Sequence, residues 1–118
     1  MRQEDKELLL KDLCARLPYG VKIQVPYEDG SGYFDETVWE VNNEGPFYVN
    51  GWGIEYEYVK PYLFPLSSIT KKTLEELSAY IDIKNAYVAV EFFNSHHIDY
   101  RGLIKKGLAI DATGLNIY

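Results

Sequence analysis

Between Val21 and Val59 apolar and polar residues alternate in short bursts broken by glycine and asparagine, the pattern of strands that each bury a single face. Val21, Ile23 and Val25 alternate with Lys22 and Gln24. Thr37 to Val41 forms a second run and Pro46 to Val49 a third, while Ile54, Tyr56 and Tyr58 alternate with Glu55 and Glu57 in a fourth. The breaks have turn chemistry. Glu28-Asp29-Gly30-Ser31-Gly32 reads as a turn or loop, Asn42-Asn43-Glu44-Gly45 as a turn, and Asn50-Gly51 as the tight hairpin pair that tolerates positive φ. A meander of this size cannot hide its apolar face alone. It must curl into a small β-barrel of about four to five strands, or bend and take cover from helices.

Helices are available on both sides. Leu9, Leu10, Leu13, Cys14 and Leu17 recur at spacings of three and four, an amphipathic stripe that Pro18-Tyr19-Gly20 ends. Cys14, on that stripe, reads as a small buried apolar residue. Pro61 and Pro65 argue against a regular central strand over 60–66 and for an extended crossing segment that carries Tyr62, Leu63 and Phe64 into the core. Ser67 to Thr70 offers capping hydroxyls, and Leu74, Leu77, Tyr80 and Ile81 predict a helix over 71–81. Residues 85–93 carry strand propensity in a length that also suits a helix. Asp99 then reads as the N-cap of a short helix from Tyr100 to Gly107. The expectation is one α+β domain over 1–118: a helix at 1–18, a bent antiparallel sheet or small barrel at 20–66, a helical segment at 70–109 and a tail at 110–118.

With 118 residues, 47% hydrophobic and 25% charged, the chain has enough apolar surface for one core and matches no disordered or fibrous composition. Twelve Lys and Arg against eighteen Asp and Glu give a net charge of −6, which repels nucleic-acid phosphate and anionic lipid at long range. The single cysteine excludes an internal disulfide and a cysteine-built zinc site. A charged start, and no window near the ~20 apolar residues of a membrane span, lead to the expectation of a soluble cytoplasmic protein.

Three stretches, Leu8 to Val21, the join Val59-Lys60-Pro61-Tyr62-Leu63, and His96-His97-Ile98-Asp99-Tyr100-Arg101-Gly102-Leu103-Ile104 with its continuation to Ala109, resemble a family of small uncharacterised proteins from gut anaerobic bacteria and their prophages or mobile elements. The resemblance covers about a third of the chain and implies a helix over 85–96. It brings no activity with it.

The chemistry-bearing residues each have a plainer role. His96, His97 and Asp99 are metal-ligand types, yet neighbouring residues on a helix point ~100° apart, and histidines at a helix C-terminus with Asp99 capping the next element account for them. Arg101 would then pair with an acidic neighbour. Ser67, Ser68 and Cys14 lack a nucleophile frame. Glu55 and Glu57, with Asp35, Glu36, Glu40 and Glu44 nearby, read as the wet face of a half-buried sheet. The aromatics are the remaining signal. Ten of them crowd residues 27–62, more than a small core hides, and Tyr33, Trp52, Tyr48 and Tyr56 are the candidate contacts for a protein partner.

The leading expectation is therefore a non-enzymatic binding or accessory protein, associated with a phage or mobile element, with no cofactor and no direct nucleic-acid contact. Two alternatives accompany it: an acidic regulator that mimics nucleic acid on a host protein, and a metal-dependent enzyme centred on His96, His97 and Asp99.

Overall fold

In the computed structural model the chain is described over residues 3–27, 29–42, 48–49, 59–69, 71–72, 75 and 86–118. Helix α1 (Gln3–Arg16) runs into a 3-10 turn (Leu17–Tyr19) that Gly20 closes at φ +66°, a left-handed conformation suited to glycine. Strands β1 (Lys22–Pro26), β2 (Tyr33–Thr37), β3 (Val41–Asn42), β4 (Tyr48–Val49) and β5 (Lys60–Pro65) follow. Helix α2 (Ala86–Ser95) and two short strands, β6 (Ile98–Asp99) and β7 (Ile110–Asp111), complete the set.

The chain is α+β, and its main sheet is open and mixed. Its order is β2-β1-β5-β6, with β7 also on β5, while β3 and β4 pair separately. The β1–β2 hairpin is antiparallel, from Lys22 opposite Thr37 to Pro26 opposite Tyr33. Its turn is closed by Tyr27 N–H donating to the Gly32 carbonyl and by Ser31 N–H donating to the Asp29 carboxylate. Ile23 and Val25 on one face, with Val21, Val38, Val59, Leu63, Leu103 and Leu108, form the core onto which α1 lays Leu9 and Leu13. Helical cover therefore replaces barrel closure among the described residues.

Several local expectations are corrected. The second strand falls at 33–37 instead of 37–41, because Val38 leaves the ladder to enter the core while its N–H donates to the Val21 carbonyl. Residues 60–65 do form a strand at the centre of the sheet, despite two prolines. β5 accommodates them by pairing only two residues with each neighbour: antiparallel to β1 at 60–61, parallel to β7 at 62–63, and parallel to β6 at 64–65. Parallel pairs enter a sheet expected to be antiparallel because α2 and the turn after it return the chain in the same direction.

Residues 86–95 are helical. Ala89, Phe92 and Phe93, at spacings of three and four, pack with Ile69 and Ile98 in a second small cluster. Beyond β6, the expected helix from Tyr100 to Gly107 is a single turn. Its closing bonds, Leu108 N–H to the Leu103 carbonyl and Gly107 N–H to the Ile104 carbonyl with Gly107 at φ +76°, form a Schellman pair. The 110–118 tail gains β7 and a buried Ala112. Of the predicted 71–81 helix only residues 71–72 and 75 are described, and they are helical. Cys14 is exposed, since the buried face of α1 is Leu9, Asp12, Leu13 and Arg16.

Candidate functional site

The segment from Phe92 to Arg101 collects most of the chemistry. Helix α2 ends at Ser95, and His97 takes φ +57°, so the backbone turns sharply between the two histidines. His96 stacks on Phe92 with ring centroids 4.1 Å apart, and its Nδ1 lies 2.9 Å from the Phe92 carbonyl, an arrangement that holds a proton on that nitrogen. His97 turns the other way. Its ring lies flat on Tyr118, with centroids 3.8 Å and planes 11° apart, and its Nδ1 is buried without a hydrogen-bond partner. Burial, then the charge of Arg16, with His96 and Lys22 behind it, lowers the His97 pKa from 6.5 to about 4.

Asp99 is buried and accepts from Leu103 N–H and Ile104 N–H, both at 2.9 Å, which fixes the turn after β6. His96, His97 and Asp99 are thus each committed to a different neighbour. No group of three His, Cys, Asp or Glu side chains is placed to hold a metal ion among the described residues.

Beside this segment lies a polar network that apolar periodicity did not show. Arg16 and Asp12 are fully buried, one turn apart on α1. The Arg16 guanidinium donates to the Asp12 carboxylate at 2.9 Å, the Ile98 carbonyl at 2.6 Å and the Phe93 carbonyl at 3.4 Å. The other Asp12 oxygen accepts from Arg101 at 3.2 Å, the acidic pairing expected for that residue. Tyr100 completes the network: its hydroxyl accepts from Arg101 and donates to Asn94, and its ring lies 5.3 Å from the Arg16 guanidinium carbon and 4.6 Å from that of Arg101. The i, i+4 spacing of Asp12 and Arg16 was the available signal. Burial of the pair depends on carbonyls about eighty residues further along the chain.

The aromatic candidates separate. Tyr33, on β2, is 63% exposed. Trp39 is exposed to the same extent, and Tyr27, which packs against Phe34 at 5.1 Å, is about half exposed. Tyr62 is buried, its hydroxyl donating to Asp35 and accepting from Gln24. The Tyr48 backbone lies in β4, whereas its side chain, Trp52 and Tyr56 lie outside the described residues, as do Glu44, Glu55 and Glu57.

No family model, curated protein or solved structure matches this chain. Although Cys14 is exposed, partial desolvation of its thiol against α1 raises the pKa, which disfavours a nucleophilic thiolate. Ser68 spends its hydroxyl on the Pro65 carbonyl at 2.6 Å. The Asp12–Arg16–Arg101 network is taken up by its own ion pairs, the Phe93 and Ile98 carbonyls and the Tyr100 hydroxyl. What faces water is an aromatic and acidic hairpin, and no helix among the described residues is long and apolar enough to cross a membrane.

Proposed function

We propose that this chain is a non-enzymatic binding protein that grips another protein through the outer face of the β1–β2 hairpin. The observation that carries the reading is Tyr33: a large ring, 63% exposed, held on a regular strand opposite Pro26, with exposed Asp35 two residues along the same face. A rigid strand presents the ring at low entropic cost, and Tyr27 widens the patch at the turn. Asp29, its pKa lowered by the Ser31 hydrogen bonds, stays ionised beside it. With six excess negative charges on the chain, the partner that fits is a protein surface carrying Lys and Arg around an apolar or aromatic-binding centre.

Association with a phage or mobile element of gut anaerobes belongs to this proposal through the resemblance of the Leu8–Val21, Val59–Leu63 and His96–Ala109 stretches, and work inside the cytoplasm through the single cysteine, which fits a reducing compartment. The acidic residues of the hairpin also favour a second reading, in which the partner is a nucleic-acid-binding protein and this chain occupies its basic site.

The test is capture of a partner from the source cell with the full chain and with Tyr33→Ala, after confirming that both melt alike. A partner recovered by the wild type and lost from the variant supports the reading. Capture unaffected by Tyr33→Ala, or no specific capture, removes it. Competition of the recovered partner by nucleic acid would move the assignment to the second reading.

A further inference from the structure

The Tyr118 side chain sits in a seat that satisfies every part of a phenol. Its ring stacks on the His97 imidazole at 3.8 Å and lies 5.9 Å from the Phe64 ring. Its hydroxyl accepts from Lys22 N–H at 2.8 Å and donates to the Tyr62 carbonyl at 2.7 Å. Burial raises the hydroxyl pKa to about 12, so the group stays a neutral donor. The Lys22 ammonium also reaches the Ile117 carbonyl at 2.8 Å. Between Ala112 and Ile117 the bonds are local to the segment: Thr113 N–H donates to the Asp111 carboxylate and Leu115 N–H to the Ala112 carbonyl. Ala112 is anchored by its N–H to the Leu63 carbonyl, but Thr113, Gly114, Leu115 and Asn116 are all exposed, and Gly114 and Asn116 take positive φ. Tyr118 itself is 43% exposed. A strap anchored at Ala112 and held in the seat by Ile117 and Tyr118 can lift from it without disturbing the core.

We propose that the seat formed by the His97 ring, Lys22 N–H and the Tyr62 carbonyl is a binding site for a phenol ring, closed in cis by Tyr118 and open to a phenol in trans. A second observation points to the same place. His97, whose ring stacks on Tyr118, is 9% exposed with its Nδ1 unpartnered, so the closed state holds a buried polar atom unsatisfied. The closed state is opposed by that atom and favoured by the stack and the two hydroxyl bonds, which makes strap opening a local event. The ligand class is a 4-alkylphenol. It can be a free phenol or a tyrosyl side chain offered by a second copy of this chain.

The experiment follows the His97 ring protons by NMR in full-length Tyr118→Ala and in the wild type during titration with p-cresol, and with toluene as the hydroxyl-free control. Saturable ring-current shifts in the variant, roughly tenfold weaker for toluene and absent in the wild type at the same concentrations, are expected, since one or two neutral hydrogen bonds carry about that factor. Equal response to both compounds, or none, overturns the proposal. Should Tyr118→Ala not fold, wild-type amide exchange decides. Lys22 N–H, bonded to the strap, should exchange at least roughly tenfold faster than Val25 N–H in the core of the hairpin, whereas exchange of both only by global unfolding overturns the strap. Sedimentation distinguishes the sources. A wild-type dimer abolished by Tyr118→Ala assigns the ring to a second copy, and a monomer that binds p-cresol as the variant assigns it to free phenols.

Discussion

Asp12 carries more of the tertiary structure than any apolar residue of α1 suggests. It is the shared acceptor for Arg16 and Arg101, so Asp12→Ala would leave a fully buried guanidinium without its counter-charge. A loss of about 3–5 kcal/mol is expected, read from urea unfolding, against about 1 kcal/mol or less for Arg101→Gln at the partly exposed end. Replacing Asp12 and Arg16 together by Leu and Met should cost much less than Asp12→Ala alone, because no fully buried charge is then stranded and Arg101, its guanidinium partly exposed, keeps contact with water. His97 sets a pH dependence. Its pKa lies at about 4 in the fold against 6.5 unperturbed, so its contribution is complete above pH 6.5. As pH falls below that value the unfolded chain takes up the proton first, and stability declines until about pH 4. With the fold relaxing around the incoming charge, the loss should amount to about 1–2 kcal/mol, less than the full shift corresponds to. His97→Asn, which keeps a residue tolerant of positive φ, should flatten the stability profile over that interval.

Elements fared differently according to how local their causes are. The Leu9 and Leu13 stripe was sufficient for α1, yet the apolar reading placed Cys14 inside and passed over Asp12 and Arg16, since periodicity ranks residues by their own polarity and ignores distant partners. For 85–96, β-branched and aromatic residues favoured a strand, while the length of the segment and the family resemblance favoured a helix. The second small cluster decided for the helix. Asp99 was legible as a cap, and its carboxylate does accept the first N–H groups of the turn, but Asp99 itself lies in β6, and Gly102 at φ +74° keeps the helix from starting before Leu103. Asp99→Ala should therefore cost about 1–2 kcal/mol and speed amide exchange at Leu103 and Ile104, where the N–H groups lose their acceptor. Gly107→Ala forces a side chain into φ +76° and should cost about 1 kcal/mol in the same unfolding assay.

At the scale of the whole molecule, the Arg16 guanidinium binds the carbonyls of Phe93 and Ile98, so α1 and the segment after α2 cannot separate without exposing unsatisfied charge. Helix loss by far-UV dichroism and loss of Tyr100 ring shifts by NMR should coincide in one transition. Separate midpoints would show that the network does not join the two ends. Sequence alone determined the α+β class, the turn chemistry around Asp29-Gly30, and the need for a single-faced sheet to be closed or covered, because alternation, turn residues and helical spacing act within a few residues of their cause. Tertiary structure decided that a strand with two prolines could be central, that Asp12 and Arg16 belong inside, and that His97 lies beneath Tyr118. Each of these depends on groups tens of residues away that satisfy a hydrogen bond or balance a charge, and burial of a polar atom is favourable only once its partner is in place.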